Sequence, residues 1–520
     1  MTDPSLRLAG LPPGLDLAVP PDFDGQWRLA AGPLPPDPLA GTAHAAREVA
    51  LPSLSLQLWP RARLTLLRDA AGAPVGALIG TVVDPDAGRV LGEVETLPEP
   101  WAPETSPDDF AERTVLGRLS GTYLLILDGG EDGGKREGGP GRRRLYLDAC
   151  GSRSAVFDAA AGLAAATAPA LLGPQAAARF DAPLHAALNI EGEGWFPAGL
   201  TAHRGVTRVL TNHALDLDAW TQTRIWPRDA IPTTDDPEAA CRVILADARA
   251  TARALIDDRP CAMSLTAGNE TRFLLAACRD FAKDIDFVTA EGPNADLDLH
   301  RAKELAARFG LRRRTLPRAR ADEARAAEWH ARAGQAIGGG NRVEHPATDP
   351  LRDAGKTLIA GFGGEIGRAF FWRPGDGPEL EVDADQIVPR FGMPANAAVR
   401  AAVEAWLPSI AHIRDPFLRL DLAYLELRMG CWAFAQAYVA PGLPEVSPMI
   451  SRRCFQAMLS LPPDWRRGNR MILDSVRLAW PELLELPINR YGDWRDPMRL
   501  VRRAARNPGL ILKRLRKRFG

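Results

Sequence analysis

The sequence predicts an α/β protein, and three observations predict it. Short strand-like runs crowd the first third of the chain. From about Asp235 onward, short apolar runs alternate with helical periodicity, the pattern of a parallel, doubly wound sheet. From Ala395 the chain reads as mostly helical.

Composition bounds the answer. The 520 residues suffice for roughly three average domains. At 46% hydrophobic and 25% charged, the chain can bury a large core. Its net charge of −1 favours no polyanionic partner, so nucleic-acid binding is not expected. Lysine occurs only at Lys135, Lys283, Lys303, Lys356, Lys513 and Lys517, which leaves few candidates for any lysine-dependent mechanism. Cys150, Cys241, Cys261, Cys278, Cys431 and Cys454 stand far apart and form no C-x-x-C pair, so zinc-ribbon, redox and disulfide readings lack support. No basic segment followed by an apolar run opens the sequence. The most apolar stretch, 159–173, is short and holds Pro169. A cytoplasmic protein is the expectation.

Taken in order, residues 1–45 are rich in proline and glycine and should turn often and form few ladders. Strand-like runs follow at 54–59, 64–67, 75–82, 89–95, 122–128 and 144–148. The last two flank a Gly- and charge-rich stretch, 129–141, that reads as an exposed hairpin excursion. Residues 237–257 read as a helix, because Ala240, Val243, Ile244, Ala248, Ala252 and Leu255 recur at helical spacing. A strand at 261–265, a helix at 272–281, a strand at 285–289, a helix at 299–309 and a strand at 357–360 complete the alternation.

The most informative stretch is Ser264, Leu265, Thr266, Ala267, Gly268, Asn269, Glu270 and Thr271, between a buried-type strand and a helix. Ala267 and Gly268 permit a tight turn. The two threonines bring hydroxyls beside the first helical N–H groups, which lack an intrahelical acceptor and carry partial positive charge. A phosphate or pyrophosphate suits that place. Glu270 opposes an anion alone, but fits if magnesium bridges it to the phosphates. The plainer reading is a helix start capped by Thr266 or Asn269. The lysine of an ordinary P-loop is absent.

This loop resembles the pyrophosphate loop S-G-G-x-D-S of N-type ATP pyrophosphatases, in particular of asparagine synthetases, with four of the five specified positions conservatively altered. Other stretches follow in the same order. Leu145 to Arg153 is similar to a strand pair of that family. Thr201 to Val206, with Thr211-Asn212-His213, resembles its "T-x-F-x-G-I" and "P-G-H" stretches. Ile225-Trp226-Pro227 resembles "Y-W-x-P", where the N-terminal domain hands over. Gly361-Phe362-Gly363-Gly364-Glu365 resembles "G-x-G-G-D". Ser447 to Arg453 with Leu459 to Pro463 resembles "P-F-L-D-x-x-L" and "L-P-x-x". The series spans roughly residues 115 to 490.

The resemblance implies an Ntn-hydrolase-like αββα sandwich over 1–230 and a Rossmann-like ATP-pyrophosphatase domain over 236–520. It implies an enzyme that adenylates a small-molecule or peptide carboxylate with ATP and Mg²⁺, so that an amine or ammonia can displace AMP. Ser264 to Thr271, Gly361, Gly363, Gly364 and Arg490 would then contact the nucleotide, with Glu270 and Glu365 at the metal. The family's glutaminase nucleophile is a cysteine directly after the initiator methionine. Here Thr2 stands there, so ammonia release from glutamine is not expected, as in β-lactam synthetases and lasso-peptide cyclases.

The catalytic base has no counterpart. Ile366 replaces the glutamate of asparagine synthetases, and Phe362 replaces the tyrosine of β-lactam synthetases. Glu381, Asp383 and Asp385 lie downstream, and a solvated loop is the plainer reading of each. Arg490 falls near the family's C-terminal lysine, and Lys356 is a second cation to consider. A non-catalytic nucleotide-binding or scaffolding relative, and ATP hydrolysis to AMP for another activation chemistry, are the competing readings. In the tail, Ile511, Leu515 and Phe519 recur at i, i+4, i+8 among basic residues. A helix there would suit a membrane surface or an acidic partner, or would simply pack on its own domain. A homodimer is compatible with the sequence.

Overall fold

The computed structural model describes residues 22–130 and 142–498. Expectations about Thr2, about the tip of the 129–141 excursion and about the basic tail lie outside these residues. Three sheets organise the chain, one of them parallel, so the fold is mixed α/β. Two sheets, one antiparallel and one antiparallel but for the parallel pair Leu64–Arg68 with Val94–Thr96, are built from residues before 225, and the parallel sheet from residues after 260.

The first sheet has six strands, ordered Thr207–Arg208, Val156–Asp158, Leu163–Ala165, Trp27–Ala30, Ser55–Leu58 and Arg47–Ala50. Trp27–Ala30 lies buried in its middle, a strand the Pro- and Gly-rich context concealed. Buried Arg28 fastens the proline segment by donating to the carbonyls of Pro35 (2.6 Å) and Pro36 (3.2 Å). The second sheet is built around Pro74–Asp84 and Ser120–Asp128, which pair antiparallel and are almost wholly buried. Ser120–Asp128 also pairs antiparallel with Arg143–Leu147, the arrangement the hairpin reading required. The run expected at 89–95 divides into Arg89–Val90 and Val94–Thr96, which join different neighbours.

The parallel sheet runs Arg313–Leu316, Asp286–Ala290, Cys261–Ser264, Thr357–Ile359, Glu445–Val446. In chain order this is 3-2-1-4-5. The direction of winding therefore reverses beside Cys261–Ser264, the place where open α/β sheets bind their ligands. The helix Pro237–Asp258, capped by Asp236 onto Ala239 N–H, leads into this strand. The helix after the strand is Asn269–Ala277, three residues earlier than its periodicity indicates. That shift puts Glu270 in the first helical turn.

Apolar side chains of both halves belong to one continuous core. Polar contacts cross it as well. Thr122 Oγ1 donates to Glu445 O (2.8 Å), and Trp27 Nε1 to the Tyr438 hydroxyl (3.2 Å). All six cysteines are buried and free, and burial pushes every thiol above its usual range. Among the described residues no helix is long and apolar enough to cross a membrane.

Candidate nucleotide and metal site

The two glycine-bearing loops singled out in the sequence meet at the winding reversal. Ser264 ends the central strand. Leu265 is fully buried and belongs to the sheet: its N–H donates to Val288 O (2.8 Å), and its carbonyl accepts from Thr289 Oγ1 (2.8 Å). The turn beyond it is tied internally. Thr266 Oγ1 lies 2.8 Å from Thr271 Oγ1 and accepts from Gly268 N–H (3.0 Å). Ala267 N–H donates to Asp298 Oδ1 (2.9 Å). The amides of Ala267 and Gly268 are thus already satisfied. The first N–H groups of the helix that starts at Asn269 have no intrahelical acceptor. Neither Thr266 nor Asn269 caps that helix; Gly268 does, without a side chain, and Asn269 Oδ1 accepts from Asn469 Nδ2 (3.0 Å).

The second loop comes within van der Waals range of the first. A Cβ placed on Gly361 would stand 3.0 Å from Glu270 Cβ and 3.1 Å from Thr271 N. Only glycine allows this approach. Gly363 adopts φ 99°, against Ile450 and Met449 of the 447–450 segment, and Gly364 faces the Glu270 side chain. Glu365 Oε2 accepts from Gly363 N–H (3.1 Å).

Glu270 and Glu365 face a common cation. The Arg368 guanidinium pairs with Glu270 Oε1 and lies 3.5 Å from Glu365 Oε1. Burial, and then the Glu270 charge, push the Glu365 carboxyl above its usual range, and Arg368 only partly offsets them. One guanidinium thus serves two carboxylates. Tyr424 is buried close by. Burial, and next the Glu365 charge, drive its phenol far above the ordinary range, so it is a neutral hydroxyl and not a base.

Two buried arginines hold the 483–491 segment, which carries Arg490, beside the loop. Arg272, fully buried, donates to Leu483 O (2.6 Å) and Leu486 O (2.8 Å). Arg301 donates to Arg490 O and Tyr491 O (2.9 Å each). Asn489 N–H closes the seam on Ala267 O (2.8 Å). The Arg490 side chain is exposed beside this seam.

The remaining candidates lie elsewhere. Lys356 pairs with Asp286 at the amino ends of the parallel strands, the opposite end of the sheet from the loop. Phe362 packs edge-on against Trp432. Glu381, Asp383 and Asp385 are exposed; Asp383 caps the helix Ala384–Ile387, and Asp385 pairs with Arg400. Arg368, Asp298 and Asn469 belong to the site but carry no local sequence signal, since each acts through a partner distant in the chain. No protein-family model and no curated protein matches this chain.

Proposed function

We propose that the protein is an ATP-dependent, amide-forming ligase of the asparagine synthetase-like group. In this reading residues 1–230 are a degenerate Ntn-hydrolase-like glutaminase domain, and residues 236–520 a Rossmann-like ATP pyrophosphatase. The observation that carries the proposal is the meeting of Glu270 and Glu365 on one cation at the winding reversal of the parallel sheet, beside an open helix N-terminus.

The residues fit magnesium, a hard cation that takes carboxylate oxygens and phosphates. Glu270 and Glu365 would hold it, and when bound it would screen the β,γ-phosphates. The helix N–H groups at 269–271 bind and orient the anionic end of ATP. Arg490 supplies a further donor to pyrophosphate. Together they stabilise charge on the departing pyrophosphate as the substrate carboxylate attacks the α-phosphate. An amine or ammonia then displaces AMP. Ammonia is not drawn from glutamine by a cysteine of this chain, because every thiol is buried and held protonated.

Arg368 favours a second reading, a non-catalytic nucleotide-binding relative in which the guanidinium permanently replaces the metal. Pyrophosphate exchange into ATP with a panel of small and peptide carboxylates separates the two. Exchange that depends on a carboxylate and on magnesium supports the ligase. Binding of ATP–magnesium by calorimetry without exchange favours the second reading. AMP formation without amide points to another activation chemistry, and absence of both binding and exchange ends the nucleotide reading.

A further inference from the structure

We infer that His185, His330 and Glu191 form a transition-metal site that clamps the two halves of the chain together, separate from the Glu270–Glu365 cluster. His185 sits on the helix Ala182–Ala187 and His330 on the helix Glu323–Arg332. One ligand atom from each of His185, Glu191 and His330 lies within 4.8 Å of the other two.

The histidines are the decisive observation. His185 is 1% exposed, and neither of its ring nitrogens has a hydrogen-bond partner among the described residues. His330 is 8% exposed, and its Nε2 is likewise unpartnered. A buried imidazole normally satisfies its polar atoms, so unpartnered nitrogens on two clustered histidines mark a missing partner. Both imidazoles are held below their usual pKa, chiefly by burial.

Glu191 supplies the negative charge at an exposed rim. Its Oε2 is bound by Arg342 (2.9 Å), while Oε1 lies 3.8 Å from His330 Nδ1. One oxygen is oriented by the arginine and the other is left for an ion. The geometry is held from both sides. Phe196 N–H donates to Ala336 O (3.1 Å) and Gly338 N–H to Gly194 O (2.9 Å), joining the segments that follow each histidine. Two imidazoles and one carboxylate suit a divalent first-row ion, zinc above all, with solvent completing the coordination. The other clustered group, Asp22, Asp24 and His44, is already engaged by Arg332 and Arg61.

The test uses the full chain, stripped with chelator and titrated with zinc, and separately with cobalt(II) as a spectroscopic probe. Stoichiometric zinc retention and the visible band of four-coordinate cobalt are expected. His185→Gln and His330→Gln should each weaken zinc by at least about tenfold, as removal of a supporting residue alone does. His412→Gln and His44→Gln should leave it unchanged. No zinc retained by the wild-type chain, or equal affinity in the His185→Gln/His330→Gln double variant, overturns the proposal. So does an equal loss in either control. Should the site variants fail to fold, the wild-type cobalt spectrum decides: the band supports the site, and its absence removes it.

Discussion

Two carboxylate–arginine clusters of this molecule differ in how completely they are closed. Glu426 is fully buried where the halves meet. It accepts from Arg224 Nη1 (2.7 Å), Asn212 Nδ2 (3.0 Å) and Trp406 Nε1 (2.7 Å). Burial alone would raise its carboxyl, but the Arg224 charge and hydrogen bonds outweigh it and hold the group below its usual range. At the winding reversal, by contrast, Glu270 and Glu365 share one guanidinium and remain partly exposed, and burial and the Glu270 charge raise the Glu365 carboxyl. The first cluster has every lone pair answered and serves architecture. The second has one negative charge too many for its arginine, and so retains attraction for a further cation.

Breaking the closed cluster should have the largest effect. Glu426→Ala strands the Arg224 guanidinium without its counter-charge and should lower stability by about 3–5 kcal/mol. Urea unfolding measures this. A loss comparable to that of an exposed surface pair would erase the contrast drawn above.

At the open cluster the contact between loops comes next. Gly361→Ala forces a methyl against Glu270 Cβ and the Thr271 backbone, so one loop must move, at about 1–3 kcal/mol. Denaturation and ATP titration should both register it. Glu270→Gln should leave folding nearly intact, yet weaken ATP by about tenfold or more when magnesium is present, roughly 1.4 kcal/mol. Equal affinities in calorimetry would remove Glu270 from the metal.

The smallest effect concerns pH. Burial pushes the Glu445 carboxyl up to about 7, against an ordinary value of 4.5. Between those values the folded chain keeps a proton that the unfolded chain has released, so this group's contribution falls as pH rises through the window. Glu445→Gln removes that dependence. The variant should gain on the wild type as pH rises from 5 to 8. Parallel stability curves for the two proteins would refute the assignment.

Much of the fold could be read from periodicity. The helix at 237–257 is found at Pro237–Asp258, and the strands at 64–67 and 144–148 fall within a residue of their expected bounds. What escaped was short or polar. Arg313–Leu316 is an edge strand with three polar residues of four, and Glu445–Val446 is two residues long, so neither gives an apolar run. Lys356 shows how sequence proximity misleads. It stands five residues before Gly361, but an extended strand carries the chain roughly 16 Å over that distance, to the other end of the sheet.

The alternation of strands and helices is written in the order of residues alone, and with it the glycine-bearing turn that opens a helix near residue 270. Local periodicity and turn chemistry suffice for that. Only the tertiary structure decided which charges meet: that Arg368 stands between Glu270 and Glu365, that Arg272 and Arg301 carry Arg490 to the loop, and that His185 and His330 converge. The physical reason is range. Backbone preference acts over a few residues, whereas the partner of a buried charge is set by which distant segments pack against it.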